Sequence, residues 1–380
     1  MVKVILIDDE ILALDYLELQ INKLNNLEVV GKFTHIDLKE KSSLLKELDV
    51  VFLDIEMPKI TGIELAERIL EINPRISIIF VTAYAHYAVE AFDLDALDYV
   101  LKPVDLERLK KTIKRIESKK YYQMPLPKKT NTVLKINVSS ELSFYIEEDK
   151  PELITWRTTK TQELFLYLLH HRHNTVRKSE LIELLWPELN QDKAYSQLYT
   201  AIYHVRKSLK KYNDYFIIKN IGEGYNLTTK QVLIDLIEWE DKISTMSLIN
   251  NQTINEYESI MSLYKGSYLQ AYNYLWAENE RYRLEQLWLK IAFQLANYLF
   301  KQNNLEKAEM WYVKICKISP EHEDARFILM KLYAKQELNP LVKLHYYELD
   351  KELKELDLEM RKDIKAWYTQ WKNIKALQTQ

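Results

Sequence analysis

The strongest constraint on this chain is where its polar residues fall relative to a set of short apolar runs. Val4-Ile5-Leu6-Ile7, Val50-Val51-Phe52-Leu53 and Ile78-Ile79-Phe80-Val81 are continuous and rich in β-branched residues, the pattern of strands buried on both faces. Between and after them, Ile11, Leu14, Leu17, Ile21 and Leu24, and later Leu106, Leu109, Ile113 and Ile116 behind a capping Asp105, recur every three or four residues. That spacing puts each set on one face of a helix. Strands alternating with helices predict a doubly wound parallel sheet, and in such sheets the site lies beyond the carboxyl ends of the strands. Those ends carry Asp8-Asp9, Asp54, Thr82 and, after Asp98-Tyr99-Val100-Leu101, Lys102-Pro103.

One aspartate at a strand end is usually a helix cap or a surface group. Five positions on one sheet edge, with a proline fixing the loop beside the lysine, are not explained that way. Three converging carboxylates repel one another unless a hard cation neutralises them, and Mg²⁺ prefers a few carboxylate oxygens together with water and phosphate. The pattern therefore predicts metal-assisted phosphoryl chemistry. Asp54 is the expected nucleophile, Mg²⁺ sits on Asp9 and Asp54, Lys102 supplies a point charge and the Thr82 hydroxyl senses the phosphate. A dehalogenase-like phosphatase also uses aspartate and Mg²⁺, but it needs Asp-x-Asp after the first strand, where this chain has Asp8-Asp9-Glu10.

The segments VILIDDE, VVFLDIEMPKITGIELAERI and IIFVTAYAHYAVEAFDLDALDYVLKP closely resemble the receiver domains of two-component response regulators over residues 1–118. The resemblance implies Asp54 as phosphoacceptor and Asp8 and Asp9 as acid-pocket residues, with Glu56 lending a backbone carbonyl to Mg²⁺. It also implies Thr82, Tyr99 and Lys102 as switch residues, and a sensor histidine kinase as partner. Met57-Pro58 and Gly62 match the family's loop after the phosphoacceptor. Receivers of this kind are also joined to a mainly β DNA-binding output in other regulators, so the receiver alone does not name the output.

Residues 119–130, with Lys119, Lys120, Pro125, Pro127, Lys128 and Lys129, have the composition of an interdomain linker. A small α+β domain is expected over 131–229. It opens with strands at Val133–Val138 and Leu142–Ile146, then a helix from about Thr161 to Leu169. A second helix runs from Lys178 to Trp186, and a third, capped at Asn190 or Asp192, reaches about Lys211. On the third, Leu198, Ile202, Val205 and Leu209 form one stripe, while Ser196, Thr200, Tyr203 and Lys207 lie opposite with Gln197 and His204 at the flank. The first stripe is expected to pack and the second to read DNA, although a polar face by itself is more often simply solvated. Two glycines in Ile221-Gly222-Glu223-Gly224-Tyr225 suit a hairpin, placing Lys219 and Tyr225 in a candidate wing. The stretches LIELLWPE, AIYHVRKSLKK and IGEGYNL resemble OmpR-type winged-helix DNA-binding domains, and WRTTKTQELFLYLL resembles the opening helix of the Streptomyces antibiotic regulatory protein version. The family resemblance puts Ser196 to Lys207 in the major groove of double-stranded DNA.

From residue 235 the chain is aromatic, charged and almost free of glycine, which predicts an all-α region over 235–375. Leu329, Tyr333, Val342 and Tyr346 recur 34 positions after Leu295, Leu299, Ala308 and Tyr312, the tetratricopeptide period. The stretch YKGSYLQAYNYLWAENERYRLEQLWLKIAFQLANYLFKQNNLEKA, with Tyr264, Gly266 and Trp276, resembles the bacterial transcriptional activator domain of the same subfamily.

Three domains also suit the length of 380 residues. A net charge of -3 does not exclude nucleic acid, because phosphate affinity depends on a local basic face. The single Cys316 supports neither a disulfide framework nor a cysteine metal site. No run approaches the roughly 18 apolar residues of a membrane span, and the expected compartment is the cytoplasm. The combined expectation is a non-enzymatic, phosphorylation-controlled transcriptional regulator that pairs on activation and has RNA polymerase as a further partner. The competing expectation is a phosphorylation-gated protein adaptor with a purely structural winged helix.

Overall fold

The computed structural model describes residues 1–24, 26–120, 132–146 and 150–378. The expected linker, residues 119–130, lies outside them from residue 121 onward, and Lys119 and Lys120 end a helix. Residues 1–133 and 153–232 form one compact unit and residues 134–152 and 233–380 another. The strands Leu134–Asn137 and Ser143–Tyr145 group with the second unit rather than with the helices that follow them in sequence.

In the first unit, β1 (Val2–Ile7), β2 (Leu27–Phe33), β3 (Val50–Leu53), β4 (Ser77–Thr82) and β5 (Asp98–Leu101) form a parallel sheet in the order β2-β1-β3-β4-β5. The connecting helices are α1 (Ile11–Ile21), α2 (Ser42–Glu47), α3 (Gly62–Ile72) and α4 (Ala88–Asp93), and α5 (Leu106–Lys120) follows β5. One core gathers Leu14, Leu17 and Ile21 with Leu109, Ile113 and Ile116 against Val4, Leu6, Val50, Phe52, Ile79 and Val81. Burying each such side chain contributes roughly 1.5–3 kcal/mol. The alternate residues Ile5, Ile7, Val51, Leu53, Ile78 and Phe80 are equally buried, so the sheet is covered on both faces. Asp98 fastens α5 to the sheet, accepting from Arg108, Arg115 and the Thr112 hydroxyl at 2.6–2.7 Å.

The same unit continues with α6 (Thr159–His170), β8 (Thr175–Arg177), α7 (Lys178–Leu185), α8 (Gln191–Ser208), β9 (Phe216–Ile221) and β10 (Gly224–Thr229), while Leu134–Asn137 and Ser143–Tyr145 of the second unit are β6 and β7. Asn190, not Asp192, caps α8, accepting from the Lys193 amide at 3.0 Å, and the helix ends at Ser208 before a short 3-10 turn at Lys210–Tyr212. Its apolar stripe of Leu198, Ile202, Val205 and Leu209 is buried, with α6 and α7 packed against the helix. Strands β8, β10 and β9 form an antiparallel sheet, and Gly222 takes φ +57° in the two-residue turn joining β9 to β10, a conformation that favours glycine.

In the second unit, β6 (Leu134–Asn137) lies between β7 (Ser143–Tyr145) and β11 (Val232–Ile234). Asp235 accepts from the amides of Val138 at 2.9 Å and Ser139 at 3.1 Å, and the Leu269 amide donates to the Val138 carbonyl at 2.8 Å. These bonds tie residues 134–140 to the all-α remainder. That remainder runs through α9 (Asp235–Thr245), α10 (Ile254–Met261), α11 (Glu278–Lys301), α12 (Leu305–Ile318), α13 (Glu323–Lys335), α14 (Asn339–Glu355) and α15 (Lys362–Gln378). From α11 to α14 each helix packs on the next. The turns repeat as well: Asn303 and Glu337, 34 positions apart, share φ 60°, and the bonds Asn304 N–H to Leu299 carbonyl and Leu338 N–H to Tyr333 carbonyl share that offset.

Gly62, the first residue of α3, is the tightest backbone contact beside the sheet edge. A Cβ there would stand 2.0 Å from the Asp54 carbonyl oxygen and 2.8 Å from the Ile55 Cα. Gly62→Ala is expected to displace the Asp54 backbone and cost about 1–3 kcal/mol, the usual range for overpacking. Thermal unfolding checks this, and an unchanged melting temperature would show that α3 can retreat freely.

Candidate functional site: an acid pocket and a covered helix

The carboxyl ends of the parallel strands bring Asp8, Asp9, Asp54 and Lys102 together. Asp8 and Asp54 are buried and Asp9 is exposed, and ligand oxygens of the three lie within 4.8 Å of one another. The Lys102 ammonium bridges Asp8 and Asp54 at 2.8 Å each, while the other Asp54 oxygen accepts from the Ile55 amide at 2.6 Å. Burial pushes the Asp8 carboxyl above its ordinary range despite its bonds to Lys102 and the Glu10 amide. Burial alone would push Lys102 down, but its bonds to Asp54 and Asp8 more than offset this and hold it high. Hard oxygen donors at this spacing fit a small divalent cation.

Thr82 closes β4 fully buried, and Tyr99 lies on β5. Both are tied to Tyr84: its amide donates to the Thr82 hydroxyl at 3.4 Å, and its carbonyl accepts from the Tyr99 hydroxyl. The Lys102 amide donates to the Thr82 carbonyl at 2.8 Å, so Thr82, Tyr99 and Lys102 share one backbone neighbourhood. The Glu56 side chain is exposed and accepts from the Tyr87 hydroxyl at 3.3 Å.

The expected DNA-reading face of α8 is largely closed to solvent. Ser196, Thr200 and His204 are buried, as is Tyr225 of β10, whereas Lys207 and Lys219 remain exposed and Tyr203 and Gln197 are half-buried. The physical reason is that α8 is enclosed by α6 and α7 on one side and by α3 and α4 on the other. On the second side, charges and phenols of α8 meet carboxylates. Tyr199 donates to Glu64 at 2.7 Å, Tyr203 to Asp95 at 2.7 Å, and Lys207 pairs with the same Asp95. Arg206 pairs with Glu67 and, at 3.0 Å, with Glu71. Lys178, at the start of α7, is buried, donates to Glu64 at 2.6 Å and lies over the Tyr199 ring at 5.2 Å. The Tyr225 hydroxyl reaches Glu67 at 3.2 Å, and Glu67 is wholly enclosed.

Sequence reasoning missed this acidic partner. Its signal was present: Glu64, Glu67 and Glu71 step by three and four along α3 and share one helix face. That stripe reads as a solvated surface until the second surface is known.

Two family models match the chain. Residues 4–114 match the response regulator receiver domain, and residues 154–227 match the C-terminal domain of transcriptional regulatory proteins. The chain thus carries a receiver domain followed by a winged helix of the type found at the C-terminus of transcriptional regulatory proteins. Among relatives, the sensory transduction protein LytT of Bacillus anthracis is 36% identical over 126 residues, covering 33% of this chain and 51% of that protein. The transcriptional regulatory protein BtsR of Escherichia coli is 38% identical over 125 residues, covering 32% and 51%. The chain therefore spans about half the length of the curated relatives it matches. The crystal structure of the response regulatory domain of protein mrkE from Klebsiella pneumoniae aligns with 36% identity and TM-score 0.29, covering 32% of this chain and 99% of that one. Among the described residues no helix is long and apolar enough to cross a membrane.

The pairing of receiver and winged helix carries a pH signature. Burial, the largest single effect, pushes Glu64 and Asp95 up, but bonds from Lys178 and Tyr199 to Glu64, and from Lys207 and Tyr203 to Asp95, hold both below their ordinary values of 4.5 and 3.8. A carboxylate lowered by folding adds stability above its unfolded value and loses it as the pH falls through the folded one. Glu71, pushed up by burial, acts in the opposite sense and is unaltered in a Glu64→Gln, Asp95→Asn variant. The melting-temperature gap between wild type and that variant should be full at neutral pH and close as the pH drops below 3.8. A gap independent of pH would show that these carboxylates do not stabilise the contact by their charge.

Proposed function

We propose that this protein is a phosphorylation-controlled DNA-binding regulator in which the receiver covers the recognition helix until Asp54 is phosphorylated. The observation that carries the reading is the match between carboxylates of α3 and the α4–β5 turn and the cations and phenols of α8, because those α8 groups are the ones a DNA backbone would attract. The phosphoryl donor is a phosphohistidine of a sensor kinase. A carboxylate oxygen of Asp54 forms the new bond to phosphorus as the bond to the imidazole nitrogen breaks, and the freed imidazole takes up a proton. Asp8, Asp9 and Asp54, with the Glu56 carbonyl, would hold Mg²⁺, which supplies neutralising charge for the phosphoryl oxygens. Lys102, already between Asp8 and Asp54, is placed to pair with the added phosphoryl group, and Thr82 to turn its hydroxyl from the Tyr84 amide toward it.

Asp54 is linked to α3 through Gly62, whose amide donates to the Ile55 carbonyl at 2.7 Å and which stands so close to the Asp54 carbonyl that a side chain would not fit between them. A change at Asp54 is thereby delivered to the helix that carries Glu64, Glu67 and Glu71. Release of α8 then lets Gln197, Tyr203 and Lys207, with Lys219 of the wing, reach DNA, in a pair of receivers formed on activation. The buried Ser196, Thr200, His204 and Tyr225 contribute only after rearrangement. The turns recurring at 34 residues support a tetratricopeptide-like reading of α11 to α14, hence a protein-binding role in which RNA polymerase is the expected partner. With the opening helix of the winged helix, they also support the Streptomyces antibiotic regulatory protein-like subfamily.

Genomic fragments enriched by the full chain test this. The beryllofluoride mimic with Mg²⁺ should tighten DNA binding roughly 5- to 150-fold, the usual span of a coupling between sites, and an Asp54→Ala variant should not respond. Glu67→Gln should raise binding without the mimic, because it loosens the cover. The burial of α8 favours one second reading, a protein adaptor with a structural winged helix, and absence of enriched DNA in every state, the Glu67→Gln variant included, would select it.

A further inference from the structure

We propose that His322 and His345 form an acid-sensitive catch in the second unit, holding the start of α13 and its contact with α14 only while both rings are neutral. The two histidines are joined through one residue, Arg326 of α13, which is buried. Its amide donates to the His322 carbonyl at 3.1 Å and its Nε to the Pro320 carbonyl at 2.7 Å. One terminal guanidinium nitrogen reaches both the His345 Nδ1, at 3.3 Å, and the carboxylate of Glu348, so it ties α13 to α14. His322 is the N-cap of α13, and its Nδ1 accepts from the Ala325 amide at 3.3 Å.

A guanidinium and a backbone amide can only donate. Both Nδ1 atoms must therefore present a lone pair, which leaves the proton of each neutral ring on Nε2. A second proton turns each acceptor into a donor that faces another donor. At His345 it also sets a cation against the Arg326 guanidinium, and at His322 against the positive end of the α13 dipole. Neither ring is free to swing aside: His345 stacks on Tyr333 with centroids 5.4 Å apart, and His322 packs on Phe293 at 5.0 Å.

The charges that act on the two rings come from several elements. Burial is the largest influence on His345 and, with the Arg326 charge, outweighs Glu348 of its own helix and Glu309 of α12. Glu309 also accepts from the Tyr333 hydroxyl at 3.0 Å. Burial likewise outweighs Asp324 and Glu321 at His322. Both of those carboxylates have other partners, Asp324 the Arg361 guanidinium at 2.5 Å and Glu321 the Ser319 hydroxyl at 2.7 Å. Both rings are thus held below their ordinary value of 6.5. A base lowered in this way binds its proton more readily once the contact opens, so the catch is at full strength above that value and weakens as the pH falls below it. This device does not rest on the DNA-binding reading.

Hydrogen exchange of the full chain, corrected for the intrinsic pH dependence of exchange, tests it between about pH 7.5 and about pH 5.5, where histidines change charge and ordinary carboxylates do not. Protection in the first turn of α13 and along its contact with α14 should fall roughly tenfold or more in wild type. It should stay level in a His322→Asn, His345→Gln variant, because each replacement keeps an acceptor and neither takes up a proton. Protection that stays level in wild type, or falls as far in the variant, overturns the proposal. Should the variant already lose protection at neutral pH, the ¹⁵N shifts of the wild-type rings decide. Two unprotonated Nδ1 atoms at neutral pH, each gaining a proton only below the ordinary value, would support the catch, whereas a proton on either Nδ1 at neutral pH overturns it.

Discussion

Glu67 has no exposed surface, and the guanidinium of Arg206 meets it together with Glu71. A charge withdrawn from water this far must be paired, and removing one partner of such a pair costs about 3–5 kcal/mol. The rest of the first unit depends on this requirement. It fixes α8 against α3, and α3 is fixed in turn by Gly62, which leaves no room for a side chain beside the Asp54 carbonyl. Phosphorylation would add about two negative charges next to Asp8, at the base of the helix whose carboxylates hold α8. The acid pocket and the covered helix are therefore two ends of one mechanical connection.

The N-terminal fold was legible because its signals are local. The three runs ending at Ile7, Leu53 and Val81 are strands buried on both faces, a pattern few other structures give. Strand β2 was not visible in the same way: Glu28, Gly31 and Lys32 interrupt it, as an edge strand with partial exposure allows. The convergence of Asp8, Asp9, Asp54 and Lys102 followed from topology, since side chains at the ends of adjacent parallel strands must meet.

The α8 face was legible only by half. Its apolar stripe was read correctly from spacing, and all four of its residues are buried. The fate of the opposite face depends on a second surface far away in the chain, which helical periodicity does not encode. Residues 134–152 illustrate the same limit, because their strand pattern was clear but their partners, Asp235 and the segment around Leu269, lie about a hundred residues on or further. The 34-residue offset between Leu295 and Leu329 was visible in sequence, and the structure adds a matching offset in backbone turns at Asn303 and Glu337.

Hydrogen exchange of α3 and α8 in the full chain, with and without the beryllofluoride mimic and Mg²⁺, tests the coupling most directly. The account predicts that amides of α8 and of the Glu64–Glu71 segment lose protection when the mimic binds, and that Asp54→Ala abolishes the change. Protection that stays constant in α8 while DNA affinity rises would contradict it, because the receiver would then control DNA binding without uncovering the helix.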